Sequence, residues 1–219
     1  MKKHSQKPIV HITDPEIERY AEGMTTPESS AIQNIVDSSD RELEYIDMLS
    51  GKLVGQLLKT LIRISNARRV LEIGSFTGYS AITMAEALGD DGEVITIEYN
   101  ERHQQLSEAH FAKYDTKKKI RLLKGDARKL VDKLEGTFDL VFLDADKISY
   151  SLYYDKVLPK LKQGGLIIAD NALWGGTVLS PDDSKSQAIA AFNTKVAEDE
   201  RVEQVLLPVR DGINIIRKK

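Results

Sequence analysis

From about residue 69 to the end of the chain, short apolar runs rich in β-branched residues alternate with longer amphipathic stretches. That rhythm belongs to repeated β-α units wound around a mainly parallel sheet, and it leaves few other architectures open. The runs expected as strands are 69–73, 93–98, 120–123, 138–143, 165–170, 202–207 and 213–217. Between them, 80–88, 102–114, 127–134, 150–161 and 184–197 carry helical spacing. The last two strands are separated only by Pro208-Val209-Arg210-Asp211-Gly212, too short for a helical crossover, so they must be antiparallel neighbours. The expected fold class is therefore α/β, with seven strands and helices on both faces.

Upstream, Asp14-Pro15-Glu16, Thr26-Pro27-Glu28 and Ser50 before residues 52–64 each offer a capping side chain at the start of a helix. Residues 1–12 lack strong periodicity and read either as a mobile end or as a lid over a pocket. A chain of 219 residues, 41% hydrophobic and 30% charged, can bury one substantial core but hardly two. We expect one domain over 1–219, made of an N-terminal helical or lid segment (1–47) and a core (48–219).

Several function classes are disfavoured by composition. No apolar run approaches the ~20 residues that span a bilayer, and Met1-Lys2-Lys3-His4 is followed by polar residues instead of a signal-peptide core, so a cytoplasmic protein is expected. With no cysteine, thiolate nucleophiles and zinc-thiolate sites are excluded, and a metal would have to rely on oxygen or imidazole ligands. The net charge of -3, with basic residues scattered among acids, makes nucleic acid a disfavoured partner.

The chemistry-bearing residues fall at strand ends. The first strand runs into Glu72-Ile73-Gly74-Ser75-Phe76-Thr77-Gly78-Tyr79-Ser80, where two glycines bracket a tight turn of the kind that lets a ligand approach the backbone. The spacing lacks the intermediate glycine of a dinucleotide fingerprint, which weakens a nicotinamide-dependent oxidoreductase reading. Glu98, ending the second strand, could accept both hydroxyls of a ribose or merely cap the helix that follows. Asp126, in Lys124-Gly125-Asp126-Ala127 after the third strand, could border an adenine ring or serve as an N-cap.

The fourth strand ends in Asp144-Ala145-Asp146-Lys147 and the fifth in Asp170-Asn171, so adjacent tips should converge three acids and an amide. Crowded carboxylates need a cation or protons to neutralise them, and carboxylate and amide oxygens suit magnesium or calcium. Asp144, Asp170 and Asn171 form the expected metal triad; helix caps and turn residues are the plainer alternative. Lys147, three residues after Asp144, is placed to remove a proton from a phenol, though lysine is ordinarily a solvated surface charge. Trp174, the only tryptophan, could wall an aromatic substrate or simply pack in the core.

At these residues the sequence resembles the cation-dependent caffeoyl-CoA and catechol O-methyltransferases, over roughly residues 48–212. The resemblance lies in the 71–80 string, in Leu143-Asp144-Ala145-Asp146-Lys147 and in Asp170-Asn171-Ala172-Leu173-Trp174-Gly175-Gly176. It implies a Rossmann-like fold dependent on S-adenosylmethionine (SAM), and a homodimer. By resemblance the cofactor contacts are Ser50, Glu72, Gly74, Ser75, Ser80, Glu98, Ala127 and Asp146, with Asp126 and Asp144 beside them and Met48 near the methyl donor. The implied metal ligands are Asp144, Asp170 and Asn171, holding magnesium, manganese or calcium. Lys147, Asn171, Trp174, Gly175 and Arg210 are expected around the acceptor, Lys147 as base and Asp144 beside it. Arg210 stands where plant relatives usually carry glycine, and the stretch between the third and fourth strands is shorter, so acceptor identity stays open. The implied reaction methylates a hydroxyl of a small catechol-like phenol. Alternatives are a hydroxylated uridine in transfer RNA, or a non-catalytic SAM-binding module.

Overall fold

The computed structural model describes residues 12–219; the reading of residues 1–12 as a mobile end or lid lies, but for Ile12, outside the described residues. Three helices precede the sheet: α1 (Pro15–Met24), α2 (Ser30–Glu42) and α3 (Gly51–Ile64). Asp14 caps α1 as expected, its side chain accepting from the Glu16 and Ile17 amides. The other two starts differ from expectation. The α2 cap is Ser29, which accepts from the Ile32 amide, and Thr26 lies upstream of it. Ser50 precedes α3 with backbone already helical, and its hydroxyl makes no capping bond.

The remainder alternates as β1 (Arg69–Ile73), α4 (Tyr79–Ala87), β2 (Glu93–Glu98), α5 (Glu101–Tyr114), β3 (Ile120–Lys124), α6 (Ala127–Leu130), β4 (Phe138–Leu143), α7 (Tyr150–Val157), β5 (Leu161–Asp170), α8 (Ser184–Ala197), β6 (Val202–Leu207) and β7 (Ile213–Lys218). All seven expected strands form one sheet in the order β3-β2-β1-β4-β5-β7-β6. β1 to β5 pair in parallel, whereas β7 runs antiparallel to both β5 and β6. α6 and α7 are shorter than expected because each tightens into a 3-10 turn, over Val131–Lys133 and Leu158–Lys160.

Both faces of the sheet are apolar, which is why the central strands are almost continuously hydrophobic. Leu71, Ile73, Val141, Leu143 and Ile167 pack with Tyr150 and Tyr154 of α7 and Phe192 of α8. The alternate residues Val70, Leu140, Phe142 and Ile168 pack with Leu58 of α3 and Tyr79 and Met84 of α4. The period of two along each strand thus delivers one side chain to each half of the core.

The order in which strands are added reverses between β1 and β4, the switch point at which open α/β sheets expose a crevice. The strand tips there are laced together. Gly74 N donates to Ile97 O at 3.0 Å, Asp144 N to Ile73 O at 3.0 Å, and Gly125 N to Glu98 O at 2.8 Å. Gly74 has φ +99°, and a β-carbon on it would collide with the backbone carbonyl of Asp144. The glycine is therefore required by the close approach of two strand ends and not, as the sequence suggested, simply to leave room for a ligand. Gly74→Ala should lower folding stability by about 1–3 kcal/mol or more, read as a fall in the urea midpoint; an unchanged midpoint would show that the turn yields without cost.

Candidate active site

Beyond the carboxyl ends of β1 to β5 lies a cavity of about 1370 Å³. A drug-sized ligand occupies roughly 300–1,000 Å³, so this space suits a nucleoside-sized molecule together with a small second one. Met48, Ser50, Gly74, Ser75, Ser80, Glu98, Asp126, Ala127, Asp144, Asp146, Lys147, Asp170, Asn171, Trp174 and Arg210 all line it. Two expected residues do not. Glu72 is fully buried behind the wall, and Gly175 is turned into the loop, where its amide donates to Asp211 Oδ1 at 2.5 Å.

At one end, the turn after β1 and the tip of β2 make a polar cradle. Glu98 is buried and bridges them, Oε2 accepting from Phe76 N at 2.8 Å and Oε1 from Asn100 N at 2.8 Å. Asn100, not Glu98, caps α5. Asp126 is both things the sequence allowed, a wall residue and a cap: it accepts from Arg128 N at 2.9 Å and pairs with the Arg128 guanidinium, which holds its carboxyl below the usual range. Ser75 Oγ and Glu72 Oε1 are buried with no hydrogen-bond partner among the described residues. A buried polar atom without a partner is costly unless something else satisfies it, and of these two only Ser75 lines the cavity, so its hydroxyl fits a polar ligand there.

Burial pushes the Glu72 carboxyl up to about 8; nearby Asp144 and Glu98 add to the rise, while the Ser80 and Thr96 hydroxyls oppose it. Thr96 Oγ1 donates to Glu72 Oε2 at 2.5 Å.

At the other end, β4 and β5 bring Asp144, Asp170 and Asn171 to the same wall. Two carboxylates and an amide are a hard-oxygen donor set that fits magnesium or calcium. Asp146, the third acid expected at these tips, also lines the cavity and starts the 3-10 turn Lys147–Ser149, accepting from Ile148 N at 3.3 Å and Ser149 Oγ at 2.5 Å. Among the described residues no group of three acidic, histidine or cysteine side chains is placed to hold a metal, so the amide of Asn171 is an essential part of the candidate set. Asp170 Oδ1 accepts from Asn171 N at 2.7 Å.

Lys147 is buried, not solvated. Its Nζ lies 2.9 Å from Asp144 Oδ1, 2.5 Å from the Tyr150 hydroxyl and 6.0 Å from the centre of the Trp174 ring. Trp174 belongs to the core, the plainer of the two expected jobs, and also lines the cavity. Arg210 is tied up by the chain: it donates to the carbonyls of Leu49 and Ser50 and lies 3.6 Å from Glu18, pinning α1 and the start of α3 at the rim. Among the described residues six non-glycine residues have positive φ, and four of them, Phe76, Asn171, Trp174 and Arg210, line this cavity. Backbone strain concentrated at one place is typical of functional sites.

Sequence reasoning missed two residues. Tyr150 is completely buried beneath Lys147, and burial, with Asp144, Asp170 and Asp211 nearby, raises its phenol well above the usual value. Asp211 is buried on the wall, and its only sequence signal was an acid in the short 208–212 connection.

Residues 22–219 match the O-methyltransferase family. The chain belongs to that family. Tricin synthase 2 of Oryza sativa subsp. japonica is 38% identical over 191 residues, covering 81% of this chain and 65% of the rice protein. Caffeoyl-CoA O-methyltransferase 1 of Eucalyptus globulus is 36% identical over 177 residues, covering 75% of this chain and 72% of that protein. An SAH-bound methyltransferase of Podospora anserina superposes with a TM-score of 0.86 at 30% identity, covering 93% of this chain and 94% of that one. This O-methyltransferase thus has the Rossmann-like fold and the SAM dependence of its family, and membership sets aside the nicotinamide alternative. No helix among the described residues is long and apolar enough to cross a membrane.

The elevated Glu72 carboxyl makes a pH prediction. The native state holds that proton more tightly than the unfolded chain, whose carboxyl titrates near its ordinary value of 4.5. The stabilisation is complete below that value and is lost as pH rises through about 8. Glu72→Gln should therefore unfold like the wild type near pH 5 but be more stable, by ~3–5 kcal/mol, near pH 9. Equal denaturant midpoints at both pH values would contradict it.

Proposed function

We propose that this chain transfers the methyl group of SAM to a hydroxyl of a small catechol-like or phenylpropanoid acceptor, with a divalent cation held by Asp144, Asp170 and Asn171. Magnesium is the expected ion, with manganese or calcium as substitutes. The observation that carries this reading is the buried Lys147 side chain, its Nζ set 2.9 Å from Asp144 where two strand tips meet beside the cavity. A lysine buried beside a candidate metal ligand, at a cavity wall, is placed for work on a proton. The caffeoyl-CoA relative from Eucalyptus supports a phenolic acceptor. A homodimeric, cytoplasmic protein is part of the same proposal.

Each end of the cavity has its own task. The glycine turn, Ser75 and Glu98 bind the nucleoside end of the donor, and Met48 and Ser50 close over it from the start of α3. Asp144, Asp170 and Asn171 hold the cation, which when bound makes an acceptor hydroxyl easier to deprotonate. Lys147 takes the hydroxyl proton. The Trp174 ring walls the acceptor, and α1, which lines the mouth through Glu18, Arg19 and Glu22, excludes water as a lid over the core 48–219. Catalysis here is chiefly positioning and charge stabilisation.

Incubation with SAM, magnesium and a panel of vicinal diols, with bulk transfer RNA in parallel, should yield methylated diols, and excess EDTA or Asp170→Ala should abolish the product. Persistence in EDTA, or methylation of transfer RNA alone, would overturn the proposal. Lys147→Ala should reduce turnover by ~10²–10⁴ with little change in SAM affinity; near-normal turnover would remove its role as base.

A further inference from the structure

Lys147 and the tips of β4 and β5 are joined by one buried phenol. Tyr150, in the first turn of α7, accepts a hydrogen bond from Lys147 Nζ at 2.5 Å. Its own proton goes to Asp170 O at 2.8 Å, with Leu143 O at 3.2 Å. The ring is fixed in turn, its edge packed on Phe192 with centroids 5.4 Å apart and planes at 88°. This side chain therefore touches both strand ends that carry the candidate metal ligands, and also the proposed base.

A lysine amine sits on a flexible four-carbon stem and has no preferred direction of its own. Here two acceptors fix it, Asp144 Oδ1 and the Tyr150 oxygen. The nitrogen is bonded to its own carbon and donates to two fixed acceptors, so a single tetrahedral direction at the nitrogen is left for the acceptor hydroxyl. We infer that Tyr150 is a positioning residue for methyl transfer, holding the Lys147 amine between the tips of β4 and β5 so that its lone pair is presented to the acceptor hydroxyl. The inference rests on the reading of Lys147 as the base. Tyr150 touches neither donor nor acceptor, because it is completely buried and does not line the cavity.

The test is a double-mutant cycle with Tyr150→Phe and Lys147→Ala, assayed with SAM, magnesium and a catechol. Tyr150→Phe keeps the ring packing and removes the oxygen. In the wild-type background it should lower kcat about 3- to 10-fold, the worth of one hydrogen bond, leaving KM and SAM affinity nearly unchanged. In the Lys147→Ala background it should cost nothing further, since the amine it orients is gone. Equal losses in both backgrounds, a loss confined to KM, or an unchanged kcat would overturn the inference. Normal turnover of Lys147→Ala alone would instead remove the base, and this inference with it, a result distinguishable from equal losses. If Tyr150→Phe does not fold, 3,5-difluorotyrosine at position 150 alone, a weaker acceptor of the same shape, should give the same background-dependent loss.

Discussion

The approach of the β1 and β4 ends at the switch point of the sheet places everything else at the cavity. Gly74 lies against the backbone of Asp144, and the Asp144 amide donates to the Ile73 carbonyl. No side chain larger than hydrogen fits between them. Because these two ends are fixed to each other, the glycine turn and the tip that carries Asp144 and Lys147 keep a constant separation. A methyl group passed between two molecules needs that constancy, since small displacements of reacting groups cost large factors in rate. β5, paired in register with β4, then adds Asp170 and Asn171 to the same edge.

The site is assembled at some expense to stability. Glu72 is a fully buried carboxyl with an unpartnered oxygen, and Lys147 is a polar side chain buried beside Asp144, where its hydrogen bonds do little more than offset its desolvation. Phe76, Asn171, Trp174 and Arg210 hold left-handed backbone conformations around the same space. The compensation comes from the two apolar layers on either face of the sheet, where Phe142, Tyr154 and Phe192 are completely buried. Rigid packing beneath and strained polar groups above divide the molecule into a scaffold and a working edge.

Much of this was legible in the sequence because the sheet is buried on both faces, and buried strands are written as β-branched runs that end abruptly at polar residues. The tips at Gly74, Glu98, Asp144 and Asp170 were visible for the same reason. What local pattern could not supply was competition between partners. Ser29 replaced Thr26 as the α2 cap, and Asp146 also caps the short turn it starts. β5 begins at Leu161, four residues before expectation, across a register shift opposite Phe138 and Leu140 that no periodicity announces. Tyr150 looked like an ordinary helix residue. Its meaning lies in a bond to the Asp170 carbonyl, twenty residues away along the chain and made only when β4 and β5 are side by side.

The central claim is that oxygens from two neighbouring strand tips grip a divalent ion at the acceptor end of the cavity. The most direct measurement is anomalous X-ray scattering from crystals of the protein soaked in manganese and SAM. The account predicts an anomalous peak bounded by the side-chain oxygens of Asp144, Asp170 and Asn171. Crystals with SAM bound in the cavity but no anomalous peak among those three residues would contradict it.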